Sequence, residues 1–207
     1  MGLLSGALTA RRYRVVGPVP PDFRDRYAQA LREHAFRASS DPTRTEETVG
    51  WCEIHNLLDT EFADLNRWLA DRYAIFALRV DKKTVPSKLF SAHLEKRMEA
   101  WCAEHQRERC PASVKAELKE KLLFEMLART LPRVQVFELC WNVVDGWLLF
   151  HSLSERAAER FIKLFWETFG LRVLPEAPLD LLPLEEVELV DRLLATGGLD
   201  YRPEVTR

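Results

Sequence analysis

Ala77-Leu78-Arg79-Val80-Asp81-Lys82-Lys83-Thr84-Val85-Pro86-Ser87 passes from an alternating strand, through a charged step, into the start of a helix. Ala74, Phe76, Leu78 and Val80 fall on one side of the run from Tyr73 to Val80, the period-two pattern of a half-buried strand. Pro86 suits the entry to a helix, because its ring presets the backbone angle and the donor it lacks would have no partner there. A sheet therefore feeds directly into a helix. Leu89, Leu94, Met98 and Trp101 follow among Lys, Arg and Glu until Pro111 breaks the stretch. Val114, Leu118, Leu122, Leu123, Met126 and Leu127 then stripe a second helix from Ala112 to about Thr130. Two helices joined this way read as an antiparallel hairpin projecting from the sheet, an arm at about 87–130.

On the N-terminal side, Leu8 to Val16 reads as a strand that is basic at Arg11, Arg12 and Arg14 and stops at Gly17-Pro18-Val19-Pro20-Pro21. Phe23, Tyr27, Ala30, Leu31 and Ala35 recur at helical spacing, so a helix is expected over Asp22 to Phe36 with Asp22 as its cap. Val49 to Ile54 is strand-like, and His55 to Asp71 reads as an irregular loop holding Trp68 in polar surroundings. On the C-terminal side, Val134 to Val144 and Trp147 to Phe150 flank Asp145-Gly146, a pair suited to a two-residue hairpin turn. Ser152-x-x-Glu155 has the form of a capping box, and Ala158, Phe161, Ile162, Phe165 and Phe169 line a helix that Gly170 stops. Leu171 to Leu174 is a last strand. The fold expected is α+β: two small βαββ- and ββαβ-type mixed sheet units joined by the projecting hairpin. Residues 1–178 form this region, and 179–207 an acidic, Pro-punctuated tail with one short helix around Leu184 to Ala195.

With 47% hydrophobic and 30% charged residues in 207, the chain has enough apolar surface for one good core and is not globally disordered. The apolar run from Val143 to Phe150 is broken by Asp145 and Gly146, so no membrane span is expected. The first residues lack the basic start of a signal peptide, and Gly6 stands where a myristoylation motif wants Ser or Thr. Cys52, Cys102, Cys110 and Cys140 show no Cys-x-x-Cys pair and are expected as reduced thiols in the cytoplasm. Cys102 and His105, with Cys110 and His93, are the nearest approach to a zinc set, but they lack the two tight ligand pairs of a structural site. No metal or cofactor is expected.

Charge is unevenly spread. From Lys82 to Arg133 twelve Lys and Arg face seven Glu, a net of +5, which leaves −7 for the remainder of a chain whose formal charge is −2. Arg79, Lys82, Lys83, Lys88, Arg97, Lys115, Lys119, Lys121, Arg129 and Arg133 are the candidate phosphate contacts, since cations near DNA displace condensed counterions without reading bases. Mixed Lys and Glu on a helix equally describes a solvated face with charge pairs such as Glu117 with Lys121.

The order of these elements and several local strings resemble the recombination-associated RdgC family from about Gly50-Trp51 to Pro178. The strings are the Ala77 to Ser87 stretch, Lys119-Glu120-Lys121-Leu122-Leu123, the Leu131-Pro132-Arg133 corner, Trp141, the Asp145-Gly146 turn and Leu171-Arg172-Val173-Leu174-Pro175. The resemblance implies a non-catalytic, sequence-nonspecific DNA-binding homodimer that closes into a ring around duplex DNA and restrains a RecA-type recombinase. It also implies a cytoplasmic, nucleoid-associated protein that binds duplex in preference to single strands. Members typically continue with a basic C-terminal region, in place of which this chain has its acidic tail. An open dimer is therefore expected.

Two other classes are set against that reading. A metal-dependent nuclease needs carboxylates and Lys around a cation at strand ends, which Asp81-x-Lys83 could begin, with Asp59, Glu61 and Asp64 nearby. A protein–protein module without DNA binding would use an exposed apolar cluster. Phe124, Leu127, Leu131 and Phe137 gather at the corner where the arm returns to the sheet, and they are the expected dimer interface, with packing into the core as the other reading of the same cluster.

Overall fold

A computed structural model describes Gly2, Leu3, residues 8–177, Asp180 and Ala195. The helix expected around Leu184 to Ala195 lies outside the described residues but for Ala195. In chain order the elements are β1 (Arg11–Val16), α1 (Phe23–Glu33), β2 (Thr48–Cys52), α2 (Leu65–Trp68), β3 (Leu69–Ala70) and β4 (Tyr73–Lys82). They continue with α3 (Ser87–Glu104), α4 (Ala112–Arg129), β5 (Arg133–Asn142), β6 (Trp147–Phe150), α5 (Glu155–Phe169) and β7 (Arg172–Pro175). The class is α+β. The two expected units do not stay separate: the strands form one seven-stranded sheet of order β2-β4-β5-β6-β1-β7, with β3 on β4, in which β1 of the first unit lies between β6 and β7 of the second. Every strand pair is antiparallel, so the sheet is not mixed.

The longest pairing is the ten-rung β4–β5 ladder, from Tyr73 opposite Asn142 to Lys82 opposite Arg133. Both strands run on into the arm at that last rung. Alternation sends Ala74, Phe76, Leu78 and Val80 of β4 and Leu139 and Trp141 of β5 to one face, where α1 and α5 cover them. Phe161 stacks on Phe150 at 4.5 Å, Phe165 meets Trp141 edge-on, and the Trp51 indole N–H donates to Thr168 Oγ1 at 2.8 Å. Burying aromatic side chains of this size removes about 150–250 Å² each from water and makes this face the main source of stability.

Helix ends follow local chemistry. Ser154 Oγ accepts from the Ala157 N–H, so the α5 cap falls two residues after the expected Ser152. Gly170 closes α5 at φ 66°, a left-handed angle that glycine takes without strain. Asp22 precedes α1 but makes no side-chain cap. The β5–β6 loop is four residues long rather than two, because the Asn142 side chain accepts from Val144 and Asp145 N–H and organises the turn itself. Trp68, the last residue of α2, is 2% exposed in the core and not in a polar loop.

The arm stands away from this core. Helix α3 buries no residue, and α4 buries only Leu122 and Leu127, although each spans 18 residues, roughly 27 Å at 1.5 Å per residue. No described helix is long and apolar enough to cross a membrane.

Edge strand β7 is pinned by charge. The Glu176 carboxylate lies under Arg12 and Arg14, each at 2.6 Å, and its N–H donates to the Arg12 carbonyl. The hydrogen bond from Arg12, then that from Arg14, holds its carboxyl below the ordinary 4.5. A depressed acid stabilises the fold above its unfolded-state pKa and loses that contribution as pH falls through the folded value. Both arginines face solvent, which screens the pair, so Glu176→Gln should cost only about 1–2 kcal/mol. The gap between wild type and variant in urea melts should be full at pH 7 and close as the pH is taken below 4.5.

Candidate nucleic-acid interface

Nine of the ten cations expected to face DNA separate into three groups, and the tenth, Lys82, pairs with Glu47. Arg79 is buried: Nε and Nη2 donate to the two oxygens of Asp81 at 2.9 and 2.7 Å, Nη1 donates to the Leu57 carbonyl, and the guanidinium stacks on Phe36 at 4.1 Å. It braces β4 and presents no charge outward, a correction to its place among the phosphate contacts. Lys83 is half-buried and donates to the carbonyls of Pro42 and Leu127, tying the arm's last turn to the loop before β2. In the second group Arg97 pairs with Glu125 across the arm and Lys121 with Glu117 along α4, both at 2.5 Å. Arg97 and Lys121 hold the carboxyls of Glu125 and Glu117 below their ordinary range. The third group, Lys88, Lys115, Lys119, Arg129 and Arg133, is exposed and in no ion pair among the described residues.

Lys82 and Arg133, on the last rung of the β4–β5 ladder, open onto a cleft of about 390 Å³ at the root of the arm. Glu47, Thr84, Gln135, Phe137, Ser154, Arg156 and Arg160 complete its lining. Arg160 reaches Glu47 at 2.6 Å and Lys82 reaches it at 3.3 Å, so one carboxylate fixes two cations on one wall. The hydrogen bond from Arg160, reinforced by Lys82, holds the Glu47 carboxyl below its ordinary range. Arg133 and Arg156 are exposed and unpaired among the described residues. Four cations against one carboxylate leave the cleft at +3. Glu47, Arg156 and Arg160 were not among the expected site residues, since they lie outside the basic segment. The signal available was the Arg156, Arg160 spacing of four on the polar face of α5.

Three of the four carboxylates considered for a metal are engaged elsewhere, Glu61 being the exception. Arg79 holds both oxygens of Asp81, Asp64 caps α2 by accepting from Asn66 N–H, and Asp59 pairs with Arg67 at 3.6 Å. Among the described residues no three His, Cys, Asp or Glu are grouped so as to hold a metal ion. His105 lies flat on Trp101 with ring centroids 4.2 Å apart, as the end of an exposed helix.

Of the expected dimer contacts, Phe124 and Leu131 are 59% and 87% exposed. Leu127 is buried in the joint between arm and sheet, which corrects its assignment to a surface contact. Phe137 is half-buried, against Phe150 and at the floor of the cleft.

A family model described as "Putative exonuclease, RdgC" matches residues 9–186, most of the chain. The chain belongs to the RdgC family. This is a recombination-associated family, and the match begins some forty residues before the stretch over which the resemblance was traced. Comparison with curated proteins gives no match.

Proposed function

We propose that this RdgC-family chain binds duplex DNA without sequence preference, as a homodimer and without cleaving it, and that this binding restrains a RecA-type recombinase on the nucleoid. The observation that carries the reading is the cleft at the root of the arm, where four cations meet one carboxylate, together with the exposed cations along the arm that make no ion pair among the described residues. Such a surface attracts phosphates by counterion release and has no means of reading base edges. The nuclease alternative is weakened by Asp81, whose two oxygens are already committed to Arg79. Gel retardation of a random-sequence duplex at rising salt tests the reading. Absence of any shifted band at low salt, with duplex and with single strand, sinks it.

Dimer formation is assigned to Phe124 and Leu131, large apolar side chains that a monomer leaves in water. Self-association would bring two copies of the basic root together, roughly doubling the phosphate contacts. Leu131→Asp should leave the fold intact and convert a sedimenting dimer to monomer, since an unpaired carboxylate in an interface costs several kcal/mol. Wild-type protein that sediments as a monomer at tens of micromolar would count against the dimer.

A further inference from the structure

The last rung of the β4–β5 ladder sets Lys82 directly opposite Arg133. Like charges facing each other across a ladder are destabilising unless a counter-charge lies between or beside them. Glu47 supplies one for Lys82, but Arg160 shares that carboxylate, and Arg133 and Arg156 have none among the described residues. The cleft is thus lined by two cations that one carboxylate holds in place and by two unengaged guanidiniums. Gln135, Thr84 and Ser154 line the same space with neutral polar groups. Guanidinium forks match the oxygens of a tetrahedral oxyanion and give stronger, charge-assisted hydrogen bonds than neutral donors.

We propose that this cleft is a phosphate site, in which Arg133 and Arg156 grip the oxygens of one phosphate group while Glu47 holds Arg160 and Lys82 in place beside it. The proposal rests on the DNA-binding reading for its natural ligand. The phosphate is either a backbone phosphodiester of a duplex crossing the arm's root or the terminal phosphomonoester of a strand end. Both sources present the same oxygens to the cleft.

The test titrates inorganic phosphate into the full chain at constant ionic strength set by chloride, with binding followed by calorimetry. Wild type should show saturable binding, and the double variant Arg133→Gln, Arg156→Gln should bind at least about tenfold more weakly, the loss expected for charge-assisted bonds. Both side chains are exposed, so the variant should keep the wild-type circular dichroism. Arg24→Gln with Arg37→Gln, exposed and outside both cleft and arm, should bind phosphate as wild type does. Duplexes of one length with 5′-phosphate or 5′-hydroxyl ends then separate the sources. A preference for the phosphorylated end that vanishes in the double variant assigns the cleft to strand termini. Equal binding of the two, with a shallower salt slope in the double variant, assigns it to the backbone. Phosphate binding that is absent from wild type, or unchanged in the double variant, overturns the site even if DNA is bound. Phosphate binding that depends on Arg133 and Arg156 in a protein that binds no DNA overturns the DNA reading and leaves the site standing.

Discussion

Replacing Lys88, Lys115, Lys119 and Arg129 together by glutamine should lower affinity for random-sequence duplex by up to about three orders of magnitude near 0.1 M salt. Each phosphate neutralised contributes about 0.9 to the slope of log affinity against log salt, so the loss of four contacts takes roughly 3.6 off that slope. These four are chosen because they are exposed and carry no ion pair among the described residues. Arg97→Gln with Lys121→Gln is the internal control. Those two charges are already largely neutralised by Glu125 and Glu117, so removing them should change the slope much less than half as far. A charge-only view of the arm predicts equal loss per cation. Filter binding across a salt series separates the two views, and an unchanged slope in the fourfold variant places DNA elsewhere than on the arm.

Local patterns carried most of the fold. The strand running into Pro86, the stripe on α5 and its glycine stop are short-range features, and each element appears within a few residues of its expected place. Long-range pairing is harder to read, because alternation states which face a residue takes but not which strand lies beside it. Two separate sheet units and one continuous sheet have the same alternation; the pairings of β4 with β5 and of β1 with β6 and β7 distinguish them. Trp68 was misplaced for a related reason. Its neighbours Asn66, Arg67 and Asp71 are polar, and its burial comes from contacts distant in sequence.

The site was legible where charge was unopposed and obscure where geometry decides. Arg79 and Asp81 stand two apart on one strand, hence on the same face, and their pairing could have been anticipated from that spacing. Arg156 and Arg160 lie far in sequence from the basic segment and reach the cleft because α5 packs over the face that carries Lys82 and Arg133. Leu127 and Phe124, three apart on α4, could not be assigned to joint and surface until the arm's orientation was known.

Gly50→Ala should cost about 3 kcal/mol, because an added β-carbon there meets main-chain atoms. Gly50 lies in β2 opposite Arg79, and its neighbour Trp51 is bridged to the end of α1 by two backbone bonds, Phe36 N–H to Trp51 carbonyl at 2.8 Å and Trp51 N–H to His34 carbonyl at 3.0 Å. A β-carbon on Gly50 would overlap Phe36 Cα and lie 2.6 Å from Phe36 N and 2.9 Å from the Ala35 carbonyl carbon. These are main-chain atoms, so no rotamer change relieves the clash. The segment from His34 to Phe36 must lift off β2, which strains or breaks both bonds, at about 1 kcal/mol each, on top of an overpacking cost of about 1–3 kcal/mol. The stiffer unfolded chain offsets only about 0.4–1 kcal/mol. At about 2–4 °C per kcal/mol for a chain of this size, the melting temperature should fall by roughly 6–12 °C. Phe36 is also the ring on which Arg79 stacks, so the displacement should loosen the Arg79–Asp81 pair just ahead of the arm's root. Gly146→Ala is the comparison: its φ of 71° imposes strain, but the nearest atom to an added β-carbon is the Val15 carbonyl oxygen at 3.3 Å, and about 1 kcal/mol is expected. Equal melting temperatures for the two variants would mean that the α1 terminus does not press on β2 as closely as these distances require.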